Sequence, residues 1–123
     1  MMYTVIRFIA NPAYLDRLTD IGMAMNAIRK GIYAGLRKAG DGFCCEICTG
    51  REWGEHQREI LRFMTEFGHS ISTATQGGAV VTVDVAVEPE DRESAGSMFV
   101  LRCKREVLAA LSSCGAELEL SIY

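Results

Sequence analysis

Residues 104–123 constrain the fold more tightly than any other stretch: a helix, a glycine and a strand follow one another with nothing between them. Val107, Leu108, Leu111 and Cys114 fall at i, i+1, i+4 and i+7, one apolar stripe at helical spacing, so 104–114 is predicted to be a helix. Gly115 can take the left-handed conformation that ends a helix without steric cost. Leu118, Leu120 and Ile122 then alternate with Glu117, Glu119 and Ser121, a strand over 116–123 with one apolar and one polar face. Such a unit builds an α/β layer, and the helix is expected to cover the Leu/Ile face.

The strand over 79–88 has the same character. Val81, Val83, Val85 and Val87 form one face, and Val80, Thr82, Asp84, Ala86 and Glu88 the other. Upstream, 3–10 is β-rich, with Val5, Ile6, Phe8 and Ile9 on both faces, which suits a strand inside the sheet. Asn11 is placed to cap a helix and Pro12 to occupy its first position, so a first helix is expected over about 12–21. The stretch 22–42 is punctuated by Gly31, Gly35, Gly40 and Gly42 and reads mainly as loop, with room for a short strand or turn of helix. A strand follows over 43–49. The longest helix starts at Trp53, carries Ile60, Phe63, Met64 and Phe67 on one side, and can stop at Gly68, with a further turn over 69–76. An acidic turn region over 89–96 and a short strand over 97–102 complete the chain.

That order, without repeats or a linker, predicts one domain over 1–123. The fold class is α/β (α+β): a two-layer sandwich, with a mostly antiparallel or mixed sheet of about five strands covered by about three helices. With 49% hydrophobic and 24% charged residues, the composition is that of a globular chain rather than a disordered one. A net charge of −3 argues against nucleic acid as a direct partner, because phosphate binding favours a basic surface. No apolar run approaches membrane-spanning length, and Arg7 interrupts the first apolar stretch, so neither a transmembrane helix nor a signal peptide is expected. Five cysteines without framework spacing suggest free thiols in a reducing cytoplasm.

Several residues invite a chemical role. Cys45 and Cys48 have the spacing of half a zinc knuckle, with Cys44 beside them, but no second Cys/His pair follows to complete four ligands. In a regular strand Cys45 and Cys48 also point to opposite faces, so structural cysteines are the expectation, with no metal and no cofactor. His56 and His69 stand beside no nucleophile motif and are expected as polar surface residues. The glycines of 31–42 match neither a phosphate-binding loop nor a dinucleotide fingerprint, and Arg29, Lys30, Arg37 and Lys38 fit a solvated edge. The carboxylates are more pointed. If both two-faced strands turn their apolar sides to the helices, Asp84 and Glu88 share a face with Glu117 and Glu119, next to Glu90, Asp91 and Glu93. A catalytic carboxylate pair needs a pocket that perturbs one member, which an open sheet face does not supply. Docking of a basic partner suits such a face better, with a solvated sheet surface as the plain alternative.

The layout resembles the bacterial domain-of-unknown-function family 4279. The shared features are an aromatic-led first strand (Tyr3 to Phe8), a capped helix ending in Ile21-Gly22, and an Arg29-Lys30-Gly31 element. A strand before a long helix follows, and then the closing Gly115-Ala116 and alternating strand to Ile122-Tyr123. The resemblance spans nearly the whole chain and brings no catalytic residues with it. It implies a small immunity-type protein that sits in the cytoplasm and blocks a toxin. The functional expectation is therefore a non-enzymatic, protein-binding domain without membrane contact. It would neutralise a bacterial toxin, a basic nuclease-like one, through the face of Asp84, Glu88, Glu90, Asp91, Glu93, Glu117 and Glu119. Two alternatives stand beside it: a ligand- or metal-binding or small enzymatic domain using 29–48, and a homodimeric structural domain paired through an edge strand.

Overall fold

The first strand of the chain is the middle strand of the sheet. In the computed structural model, which describes residues 1–29, 41–88 and 100–123 together with the backbone of 37–39, the strand order is β2-β3-β1-β4-β5. β1 spans Met2–Ile9, β2 Arg37–Ala39, β3 Gly42–Gly50, β4 Val80–Val87 and β5 Glu117–Ile122. β1 pairs antiparallel with both β3 and β4, β2 pairs antiparallel with β3, and β4 with β5 is parallel, so the sheet is mixed. The α+β class is as expected, but the strands are distributed differently. Four are long, and the three-residue β2 lies inside the stretch read mainly as loop. The strand expected over 97–102 is absent from 100–102, which has no regular structure; 97–99 lie outside the described residues.

Among the described residues three helices, α1 (Leu15–Ile28), α2 (Trp53–Gln76) and α3 (Arg105–Cys114), cover one face of this sheet. Strand alternation explains which residues they bury. Ile6 lies opposite Val83 and Phe8 opposite Val81, and on the other flank Phe8 lies opposite Phe43, their rings stacked with centroids 4.5 Å apart. Against this row α1 sets Leu18, Ile21 and Met25, α2 sets Ile60, Phe63, Phe67 and Ile71, and α3 sets Val107 and Leu111. Burying each aromatic ring of this core contributes roughly 2–3 kcal/mol.

The helices depart from expectation in instructive ways. Pro12–Tyr14 forms a 3-10 turn, and α1 starts only at Leu15 and runs on to Ile28. Asn11 receives the Tyr14 N–H on its backbone carbonyl at 3.0 Å and makes no side-chain cap. Gly68 does not stop α2. The helix continues over it to Gln76 because Ile71 and Ala74 still face the core, and their burial outweighs the roughly 1 kcal/mol that a mid-helix glycine costs. The stop is Gly77, where a Cβ would lie 2.2 Å from the ring of Tyr14, whose hydroxyl donates to the Thr73 carbonyl. Gly115 does end α3 as expected, with φ of 73°, and the Thr75 hydroxyl reaches the Cys114 carbonyl at 2.8 Å. Arg29, just past α1, forks onto Glu66 of α2 and lies over the Phe67 ring, 5.4 Å from its centroid. That guanidinium hydrogen bond holds the Glu66 carboxyl below its usual range.

One expectation fails outright. α3 does not cover the Leu/Ile row of β5: Leu118, Leu120 and Ile122 remain 41%, 49% and 47% exposed, and Leu108 of α3 is itself exposed. The reason is position. α3 lies mainly against α2, and β5 is an edge strand that the helical layer covers only in part.

Candidate functional site

The parallel register of β4 and β5 sets Thr82 beside Glu117, Asp84 beside Glu119 and Ala86 beside Ser121. The two strands therefore share their polar face, as the alternation implies, and it lies on the side of the sheet away from the helices. β1 adds Tyr3, Val5 and Arg7 to that face, and β3 adds Cys44 and Glu46, opposite Arg7 and Val5.

Arg7 organises it. One guanidinium nitrogen donates to Asp84 Oδ2 and another to Glu119 Oε2, both at 2.8 Å, so a single side chain from the central strand reaches across β4 to β5. Ser121 completes the set by donating to Asp84 Oδ1 at 2.9 Å. With two charge-assisted bonds and only 6% exposure, Asp84 is a buried structural acid rather than a group open to a partner. Glu119 keeps an exposed side chain, and Glu117 is exposed as well. Glu88, just past β4, accepts the Tyr3 hydroxyl at 2.8 Å. Glu90, Asp91 and Glu93 lie outside the described residues, as does most of the 29–42 stretch. Reading Val5, Ile6, Phe8 and Ile9 as a buried strand missed Arg7. The signal was its odd position, which places it with Tyr3 and Val5 away from Ile6 and Phe8. Exposed Glu46, whose carboxylate accepts the Thr49 hydroxyl, was legible in the same way. Across β1, β3, β4 and β5 four acids, Glu46, Asp84, Glu117 and Glu119, stand against Arg7 as the one base, while the short edge strand β2 carries Arg37 and Lys38.

The cysteine strand differs from expectation. The register of β1 on β3 shifts between Thr4 and Val5, which pair with Cys48 and Glu46 and leave Ile47 as an extra residue. A bulge reverses the alternation, so Cys45 (opposite Ile6) and Cys48 (opposite Thr4) both face the helices. Burial pushes the Cys45 thiol up to about 12, with Cys44 adding to the rise. Cys48 and Cys103 are also raised, first by burial and, at Cys48, by Glu59 and Glu55. These are the opposite of the shifts that activate a nucleophilic thiol. Among the described residues no group of three or more His, Cys, Asp or Glu is placed to hold a metal ion.

His56 is not a surface histidine; it is fully buried at the start of α2. Its Nε2 lies 3.1 Å from the Gly50 carbonyl, which can only accept, so Nε2 carries the proton. Its Nδ1 lies 2.7 Å from the Thr4 hydroxyl, which can donate or accept. Both ring nitrogens thereby link α2 to β1 and β3. His69 is exposed, as expected. Two further bonds fix the approach to α3: Trp53 Nε1–H donates to the Arg102 carbonyl at 2.9 Å, and the Lys104 N–H donates to Gln57 Oε1 at 2.7 Å. They help shape an apolar groove lined by Trp53, Val85, Leu101, Cys103, Leu118 and Leu120, with Glu119 at its edge.

The polar face thus offers carboxylates on a broad surface with one bridging arginine. No helix among the described residues is long and apolar enough to cross a membrane. Comparison with family models, with curated proteins and with solved structures gives no match.

Proposed function

We infer that the chain is a protein-binding domain that takes a basic partner on the polar face of its sheet, acting in the cytoplasm as an immunity-type inhibitor of a bacterial toxin. The carrying observation is the strand register, which aligns Glu117 and Glu119 with Thr82 and Asp84 and engages the only base of those four strands with two of the acids. The exposed charges left on those four strands, Glu46 and Glu117, are acidic, in a chain of net charge −3. Such a field speeds encounter with a basic surface and disfavours acidic ones. The resemblance carried by Tyr3 to Phe8 and by Gly115 to Tyr123 supports the immunity role in particular.

The test is capture of a partner from host lysate with the tagged chain, followed by binding measurements on the purified pair. A basic protein, toxic when expressed alone and tolerated when co-expressed with this chain, is the expected catch. Replacing two exposed acids by Glu46→Lys and Glu117→Lys should weaken its binding by about tenfold or more and leave the melting temperature unchanged. Affinity indifferent to both substitutions, and to salt, would sink the docking face. A second reading, a ligand or metal site within 29–48, has the bulge in its favour, because it turns Cys45 and Cys48 to one side. The raised thiols weigh against it.

A further inference from the structure

We propose that β5 is the interface of a homodimer, in which the β5 strands of two copies pair antiparallel about a two-fold axis at Leu120 and join the two sheets into one. β5 ends the sheet, and among the described residues no strand pairs with its outer edge. An edge strand presents a row of unpaired backbone donors and acceptors, a template for another strand. Here the template carries an apolar row, Leu118, Leu120 and Ile122, that the helices leave 41–49% exposed, with Tyr123 more exposed still. The groove of Trp53, Leu101 and Cys103 lies alongside and extends the apolar surface on the helix side. An exposed row of this kind beside an open edge marks an interaction site for an extended strand.

The β5 sequence itself names the partner. Around a two-fold axis two identical edge strands meet antiparallel, and residues directly opposite must lie on the same face of the sheet. Registers that centre the pair on Glu117, Leu118 or Glu119 set a glutamate directly opposite a glutamate, which repels. Centring on Leu120 avoids this and uses 117–123 in full. Leu120 meets Leu120, Leu118 meets Ile122, Glu119 meets Ser121, and Glu117 meets Tyr123. Apolar residues then oppose apolar ones, each acid opposes a hydroxyl, and Arg7 already holds Glu119 from within its own chain. Centring on Ser121 also separates the acids but opposes only 120–122 of β5, against 118–122 for a centre at Leu120. The glutamates therefore select the register while the leucines supply the contact. A strand pair of this length buries less than the roughly 800 Å² per partner of a standard interface, so dissociation in the micromolar range is expected.

Sedimentation equilibrium of the chain alone, from micromolar to near-millimolar concentration, tests this. A mass twice the 13.5 kDa of the chain is expected at the upper end. Leu120→Lys, which opposes two ammonium groups at the axis of a half-exposed position, should weaken association by about tenfold or more. Leu120→Cys should form a disulfide to its own counterpart on mild oxidation, mapped by mass spectrometry, because opposed strand positions meet the distance a disulfide requires. Leu118→Cys should link only when mixed with Ile122→Cys. A monomer at every concentration overturns the proposal and would leave the β5 edge to a segment of the chain itself or to a different partner. A dimer untouched by Leu120→Lys overturns it as well. Should that variant fail to fold, absence of the Leu120→Cys disulfide would be decisive. The measurement uses no toxin, so its outcome is separate from that of the docking face.

Discussion

β4 and β5 carry nearly the same pattern and lie side by side in parallel register, yet they end in different environments. Val81, Val83, Val85 and Val87 are at most 1% exposed, while their neighbours Leu118, Leu120 and Ile122 stay nearly half open. The polar rows differ too. Asp84 is hidden by Arg7 and Ser121, whereas Glu117, one strand further out, meets solvent. Alternation decides which residues share a face. Distance from the centre of the helical layer decides whether that face is covered, and a period of two carries no information about the second question.

The contrast can be broken most forcefully by placing the same charge on each strand. Val83→Asp buries a carboxylate with no partner and should cost about 5 kcal/mol, enough to unfold a domain of ordinary stability, whereas Leu118→Asp, its register neighbour, should cost below about 1 kcal/mol. Urea titration of both variants checks this; equal losses would mean that the β5 row is covered after all. The next largest effect is chemical, and it sets the two sides of β3 against each other. With its thiol pushed up to about 12, against an ordinary value of 9.0, Cys45 at pH 8 should react with iodoacetamide about a thousandfold more slowly in the folded chain than in the unfolded one. Cys44, on the opposite side of the strand, should be labelled ahead of it. Raising the pH should speed the folded-state reaction at Cys45 by about tenfold per unit until the thiol titrates or the chain unfolds. Smaller again is the contrast between the acids. Asp84→Ala leaves Arg7 with Glu119 alone and should cost about 2 kcal/mol, discounted from a fully buried pair because Arg7 is 34% exposed. Glu117→Ala should be neutral within about 0.5 kcal/mol. Thermal melts of the two would sharpen how far the buried network extends.

Much of this architecture was legible from local pattern. The strand faces of β4 and β5, the end of α3 at Gly115 and the α+β class follow from periodicity and one left-handed glycine. The misses share a cause: each depends on what lies across from a residue rather than beside it in sequence. Gly68 looked like a helix stop because nothing local reveals that Ile71 and Ala74 still have a core to face. Cys45 and Cys48 looked like opposite-facing residues because the extra residue at Ile47 is defined only against β1. His56 looked like a surface group because its partners, Thr4 and the Gly50 carbonyl, come from two other strands. In the candidate site the shared face of Asp84 and Glu119 is readable from alternation, whereas no local pattern marks which cation binds them together. Arg7 stands 77 and 112 residues away from them in sequence.

The central place of β1 has a consequence for how the chain acquires its structure in time. Its ladders join Met2 to Val87 and Ile9 to Val80, and β3 closes its other side from Gly42 onward. β1 thus leaves a ribosome before both of its neighbours, and the second of them emerges only when some eighty residues more have been made. Until β3 arrives a row containing Ile6 and Phe8 has no strand to pair with, and until β4 arrives one edge of β1 stays open. Pairings of such long sequence separation add loop-closure entropy before they return contact energy, which makes folding slower than that of a helical bundle with local contacts. During that interval the apolar edge of β1 is the part of the nascent chain most in need of protection from other strands.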